Sequence, residues 1–284
     1  MDQVTKLKLA IAGSRYGHGD AGLAKRARGV GSAAFDEVLD GLSLADLDRV
    51  TEEAEALSER GVSAALLGSE DYPDSLSETR NAPPFLFYMG PSDLLNAPGI
   101  GMCGSRNVTE EGLKAAVACG EVVAHQGLTV VSGYARGVDM ATHISALAAG
   151  GSTVIVLPEG ISRFRIKRGP FVEVWNPSRV LVVSQFAPTR PWSAGAAMTR
   201  NGVIIGLSLA LVVVEASEKG GTLAAGAKAL ELNRRVITLE FAQIPPGNAV
   251  LLRRGAVSVR NRAELSNRLA QVVGKPGGNQ LLMI

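Results

Sequence analysis

Residues 100–106 read Ile-Gly-Met-Cys-Gly-Ser-Arg, residues 128–133 Leu-Thr-Val-Val-Ser-Gly, and residues 153–159 Thr-Val-Ile-Val-Leu-Pro-Glu. Each begins with a short apolar run that is too brief for a buried helix, is rich in Val and Ile, and stops at or near glycine. Helical stretches separate them. Three parallel strands joined by helical crossovers is the economical reading, which makes the chain an α/β protein. In such a sheet ligands bind outside the carboxyl ends of the strands, where loops and helix N-termini present backbone N–H groups. Gly104-Ser105-Arg106, Ser132-Gly133 and Glu159-Gly160 fall there.

The segment Gly99-Ile100-Gly101-Met102-Cys103-Gly104 spells the dinucleotide fingerprint G-x-G-x-x-G. A working fingerprint follows a strand and opens a helix. This one follows Asn96-Ala97-Pro98 and has Ile100, Met102 and Cys103 inside the only plausible strand. Its first two glycines are therefore expected inside the strand, Gly104 in the loop, and no nicotinamide cofactor is expected.

The chain has 284 residues, 46% of them apolar, enough for one large domain with a small appendage. Its formal charge of +2 excludes a globally basic nucleic-acid binder, so any polyanion site must be a local patch. Cys103 and Cys119 are expected as reduced, inert core residues, and no His/Cys cluster suggests a metal. No apolar run approaches transmembrane length, and Met1 to Lys8 is polar and of mixed charge, so a cytoplasmic protein is expected.

Residues 1–68 read as a helical appendage. Ser32 to Leu39 and Leu44 to Leu57 have helical spacing; Ser43 with Asp46 caps the second, and Gly61 stops it. A second Gly-Ser-Arg, Gly13 to Arg15, lacks the continuation seen after Gly104 and is read as coincidence. Residues 69–272 form the main domain, entered through Tyr72-Pro73 and the strand Phe85 to Met89, and 273–284 a tail whose Leu281 to Ile284 is expected to dock. Ile161 to Gly169 carries Arg163, Arg165, Lys167 and Arg168 with no acid; a solvated face competes evenly with a phosphate site. Pro188 to Ala197 reads as a loop leading through Met198-Thr199-Arg200-Asn201 into an apolar helix from Val203. Lys219-Gly220-Gly221-Thr222 opens the helix Leu223 to Leu232; it has the chemistry of an anion cradle, but on this motif alone a tight strand-to-helix turn is the favoured reading.

Taken together, Tyr72-Pro73, the Pro83-Pro84 strand entry, Gly104-Ser105-Arg106, Ser132-Gly133 with Ala135-Arg136-Gly137-Val138-Asp139 and His143, Arg200-Asn201 before Gly206-Leu207-Ser208, Glu215-Ala216 and Gly220-Gly221-Thr222 resemble the DprA/Smf DNA-processing family. The resemblance covers most of the chain in the right order. It implies an extended Rossmann-like, doubly wound, mostly parallel sheet, usually dimeric, that binds single-stranded DNA without cofactor and assists loading of a RecA-type recombinase. Carried onto this sequence, the expected phosphate contacts are Gly104, Ser105, Arg106, Ser132, Gly133, Arg136, Gly137, Arg163, Arg165, Lys167, Arg200, Asn201, Lys219, Gly220, Gly221 and Thr222. Gly202 stands where the family commonly has a second arginine, the Arg163 to Arg168 segment lacks the expected Tyr-Pro, and no winged helix follows Gly278. Phe164, Trp192 and Tyr134 are the aromatic candidates for base stacking near these loops, and each reads equally well as a core residue.

Two rival readings use the same fold. A nucleotide phosphoribohydrolase would need a glutamate soon after Gly-Gly-Thr, where this chain has Leu223-Ala224-Ala225-Gly226; Glu215 and Glu231 are misplaced for an acid or base, so a non-enzyme is expected. A sensor of a nucleotide-derived ligand would use the same pocket. Asp139 and His143, four apart on a helix, are read as a helix-face contact that shapes the Ser132-Gly133 loop rather than as an acid-base pair.

Overall fold

The computed structural model describes residues 1–17, 19–166 and 169–274. Its N-terminal part holds helices α1 (Gln3–Tyr16), α2 (Asp20–Val30), α3 (Ala33–Asp40) and α4 (Leu44–Glu59). The start of α4 is the expected cap, with Ser43 Oγ accepting from the Asp46 amide at 3.2 Å. Gly61, at φ +72°, turns the chain after the helix in a conformation that favours glycine. Gly13-Ser14-Arg15 lies inside α1 and forms no loop.

The strands are β1 (Val62–Leu66), β2 (Phe85–Met89), β3 (Gly99–Cys103), β4 (Thr129–Ser132), β5 (Ser152–Val156), β6 (Val180–Ser184), β7 (Ala210–Val213), β8 (Arg235–Leu239) and β9 (Val257–Val259). They form one nine-stranded sheet in the order β1-β2-β6-β5-β4-β3-β7-β8-β9. β1 with β2 and β2 with β6 run antiparallel, and the other pairs are parallel. One correction concerns the first 68 residues: they are not wholly helical, because β1 is an edge strand of the sheet. Its sequence, Val-Ser-Ala-Ala-Leu, has neither alternation nor a β-branched run to announce it.

The remaining helices are α5 (Asp74–Ser77), α6 (Glu110–His125), α7 (Val138–Ala148), α8 (Pro170–Val174), α9 (Ala194–Gly206), α10 (Gly221–Glu231), α11 (Pro246–Arg253) and α12 (Arg262–Val273). They cover both faces of the sheet. Ile100 and Met102 of β3 pack with Ala116, Cys119 and Val123 of α6 on one face. On the other, Leu211 and Val213 of β7 pack with Val203 and Ile204 of α9. Each large side chain buried in this way stabilises the fold by about 1.5–3 kcal/mol.

The glycines of the fingerprint-like segment owe their place to this packing. A Cβ on Gly99 would strike the Leu207 carbonyl, and one on Gly101 would meet Leu211, Ser208 and Ile204. They let the end of α9 approach β3, and both lie within the strand as expected. Two further expectations concern segment ends. α9 begins at Ala194, so Met198 to Asn201 are helical rather than a lead-in, with Ser193 Oγ accepting from the Ala196 amide at 3.1 Å as the cap. The tail beyond Gly274, including Leu281 to Ile284, lies outside the described residues, as do Lys167 and Arg168.

No helix among the described residues is long and apolar enough to cross a membrane. Both cysteines are free, and burial pushes both thiols up, that of Cys119 to about 12. Cys119 is buried, and Cys103 is half-buried at the end of β3, where the Asp139 carboxylate adds to the upward push on its thiol.

Candidate nucleic-acid interface

From β3 the chain runs to β4, β5 and then β6 on one side; from β6 it returns to β7, β8 and β9 on the other. The strand order therefore reverses between β3 and β7, and the carboxyl ends there open a crevice. The loops that flank it are tied to one another by main-chain hydrogen bonds. The Ser105 amide donates to the Glu215 carbonyl at 2.9 Å, and the Val138 amide donates to the Ser105 carbonyl at 3.3 Å. Thr222 Oγ1 donates to the Gly104 carbonyl at 3.1 Å. Gly104 and Gly137 are the close approaches in this knot: a Cβ on Gly104 would strike Val138, and one on Gly137, which sits at φ +81°, would strike the Ser105 carbonyl.

Above the loops lie two adjoining cavities of about 500 and 430 Å³, which share Arg106, Ala135, Trp192 and Arg200. The first adds Arg136, Glu159, Arg163 and Arg165, and the second adds Ser105, Asn201, Lys219, Gly220, Gly221 and Thr222. Together they form an open, mostly cationic groove along the carboxyl edge. Arg106, Arg136, Arg163, Arg165 and Lys219 are exposed. Arg136 Nη2 donates to Asn107 Oδ1 at 2.6 Å, and Arg165 Nη1 donates to the Ser162 and Phe164 carbonyls at 2.9 and 2.7 Å. An arginine has five N–H donors, so these bonds aim the forks and leave donors for phosphate. At one end of the groove α10 follows Gly220 with no side-chain cap, so its first amides face the cavity.

Arg200 differs from the other cations. It is only 5% exposed, and its Nη1 donates to the Val156 carbonyl at 2.9 Å. Burial lowers its pKa, and the nearby Asp139 carboxylate opposes that. Asp139 is buried too; burial pushes its pKa up, while Arg200 and the Ala135 amide, which donates to Oδ2 at 3.2 Å, pull it down. The sequence reading grouped Arg200 with loop cations, but it is the floor of the groove. Ser132 needs a similar correction. Its side chain is fully buried and its Oγ donates to the Met102 carbonyl at 2.7 Å, so the hydroxyl holds β4 to β3 and is turned away from any phosphate. Gly133 leaves room for the Arg200 guanidinium, which fills the place of its missing Cβ, and its amide turns to the Asp139 carboxylate. Lys167 lies outside the described residues.

Tyr134 and Phe164 are buried in an aromatic cluster with Phe171 and Trp175, with ring centroids 5.1 to 6.0 Å apart along the chain of contacts. Tyr134 also holds φ 62°, a backbone strain of about 1–3 kcal/mol that the packed ring maintains. Trp192, 51% exposed, is the aromatic side chain that the groove leaves open for a base. His143 turns to Thr153, Nδ1 to Oγ1 at 2.6 Å; because Thr153 gives its one proton to the Val130 carbonyl, the histidine donates from Nδ1. Asp139, in contrast, shapes the Ser132-Gly133 loop through Ala135, so the expected helix-face contact is divided between two different partners.

Glu215, the carboxylate at the end of β7, accepts from Thr109 N at 3.1 Å and Thr109 Oγ1 at 2.8 Å. Thr109 is the cap of α6, its Oγ1 accepting from the Gly112 amide at 3.0 Å, and Glu215 holds that cap residue in place. Sequence reading missed Asn107, Met198 and Ser217 as groove residues. Asn107 directly follows Gly104-Ser105-Arg106, and that adjacency was its only signal.

Residues 63–270 match the family model of DNA recombination-mediator protein A. The chain belongs to that family. Among DprA/Smf relatives, the DNA processing protein DprA of Streptococcus pneumoniae is 33% identical over 168 residues, which are 59% of this chain and 59% of that relative's length. The crystal structure of that organism's DprA matches 93% of this chain and 97% of its own at a TM-score of 0.73 and 24% identity. The DNA processing protein A of Helicobacter pylori, described in its single-stranded DNA binding mode, matches 74% of this chain and 96% of its own at a TM-score of 0.64 and 22% identity. The DprA likeness extends over the sheet and its crossovers, which are the elements that carry the groove loops.

Proposed function

We propose that this protein binds single-stranded DNA along the carboxyl-edge groove, chiefly through its phosphates, in DNA processing and recombination. The observation that carries the reading is the continuity of the groove: two cavities share Arg106, Trp192 and Arg200 and run from Arg165 to the uncapped start of α10. Exposed arginines, loop amides and one open indole are what a sequence-tolerant single-strand binder combines. The family and the single-stranded DNA binding described for the Helicobacter pylori relative support it.

On this reading the protein is a binder without turnover. Glu215 is engaged with the amide and hydroxyl of Thr109, the cap residue of α6. Handover of the strand to a RecA-type recombinase, a homodimeric state and a cytoplasmic setting belong to the proposal through family membership.

The deciding measurement is affinity for oligothymidylates of increasing length at several salt concentrations. If about four cations each neutralise a phosphate, the log-log salt slope is near −3, at ~0.7 per contact for a single strand. Affinity rises with length until the groove is filled. A flat response to length, or competition by a mononucleotide at equal affinity, replaces the strand with a small nucleotide-derived ligand.

A further inference from the structure

The cationic groove contains one half-buried carboxylate, Glu159, that the phosphate reading leaves without a task. Glu159 follows β5 in Leu157-Pro158-Glu159-Gly160 and lines the larger cavity together with Arg106, Arg136, Arg163, Arg165 and Trp192. Its backbone is held firmly: Ser184 Oγ donates to the Glu159 carbonyl at 2.7 Å, and the Gly160 amide donates to the Arg190 carbonyl at 2.9 Å. A Cβ on Gly160 would strike the Ala187 and Pro188 carbonyls, so the loop cannot slide past that segment. The side chain is 28% exposed, and its one charged partner among the described residues is Arg163, with Nε 4.0 Å from Oε2. That is beyond hydrogen-bond distance. Its oxygens accept no hydrogen bond among the described residues.

A fixed carboxylate in such a place repels a phosphate and accepts from a donor. The donors a single strand can offer there are on the bases: the exocyclic amino groups of cytosine, adenine and guanine. Thymine presents two carbonyls around one N–H, and its O4 faces a carboxylate unfavourably where cytosine presents an amino group. Trp192 opens into the same cavity, and the cavity's volume of about 500 Å³ is within the size of ordinary ligand sites. A base stacked there has its edge read, while the surrounding arginines hold the phosphates.

We propose that Glu159 makes the groove base-selective, favouring cytosine over thymine at the nucleotide seated in this cavity. The inference rests on the single-strand reading above and adds a sequence preference to a surface that would otherwise have none. It also gives the carboxylate a second effect, since it subtracts attraction for every strand by partly neutralising Arg163.

The test compares oligodeoxycytidylate with oligothymidylate of equal length, at one salt concentration, for the natural protein, Glu159→Ala and Glu159→Gln. The natural protein is expected to bind the cytidylate at least about fivefold more tightly, the lower end for one well-made base contact. Glu159→Ala is expected to remove the preference and to raise affinity for oligothymidylate. Glu159→Gln, whose amide both donates and accepts, is expected to bind thymidylate better than the natural protein does while narrowing the preference. Equal affinity of the natural protein for both strands overturns the base-reading role and leaves the single-strand reading standing. A preference that survives in Glu159→Ala overturns it as well. Failure to bind either strand removes the single-strand reading, and the role of Glu159 falls with it.

Discussion

The guanidinium of Arg200 occupies the space that a side chain on Gly133 would need. One comes from α9 and the other from the turn after β4, so the cation can lie under the groove only because the turn carries no Cβ. Gly133→Ala is therefore expected to push Arg200 off the Val156 carbonyl. The expected loss is about 1–3 kcal/mol of stability, the usual range for overpacking, together with weaker strand binding. Urea denaturation and oligonucleotide titration of the same variant check both effects.

Arg106 and Arg200 line the same groove but should respond differently to charge reversal. Arg106 is exposed, so Arg106→Glu is expected to keep stability within about 0.5 kcal/mol and lower oligonucleotide affinity at least about tenfold. Arg200→Glu would bury a second carboxylate beside Asp139 and leave the Val156 carbonyl unpaired, at an expected cost of about 3 kcal/mol or more. Thermal or urea unfolding separates the two. An Arg200→Glu protein as stable as the natural one would place the side chain at the surface.

The buried Asp139 gives stability a pH dependence of predictable sign. Burial raises its folded pKa above the ordinary carboxylate range, against the pull of Arg200. As pH rises from about 4, the unfolded chain ionises first, so this group's contribution to stability falls until the folded pKa is passed. Asp139→Asn cannot ionise, and its amide oxygen still accepts from Ala135. The variant's stability minus that of the natural protein should thus become more positive as pH rises through this window. Parallel stability curves for the two proteins would mean that the carboxyl is unperturbed.

Glu215 holds Thr109, the cap residue of α6, by accepting from its amide and hydroxyl, so Glu215→Gln is expected to cost about 0.5–2 kcal/mol of stability, as a weakened cap does. The natural protein is expected to release no free base from nucleoside monophosphates at high protein concentration. Base release that disappears in Glu215→Gln would give the carboxylate a chemical role.

The sequence by itself determined the parallel core of the sheet and the edge along which its cationic groove lies. Short Val/Ile runs that end at glycine have few other stable arrangements, and phosphate-type loops at their carboxyl ends converge wherever such strands align. Ile100, Val130 and Ile155 could be assigned to strands, and Arg106, Arg136 and Lys219 to one edge, without coordinates. α1 could not be read, because Leu7 and Leu9 to Ala12 are buried on all sides by neighbouring elements and so show no helical period. β1 was equally silent, since its Ala-rich run becomes a strand only through its antiparallel partner β2. Depth was what tertiary structure alone decided. Arg106 and Arg200 are the same residue type in similar motifs, yet one is in water and the other lies beneath the groove beside Asp139. A charge can be buried only where a distant backbone leaves room and a carbonyl and carboxylate wait for it. Gly133, Val156 and Asp139 meet Arg200 only after the sheet has formed.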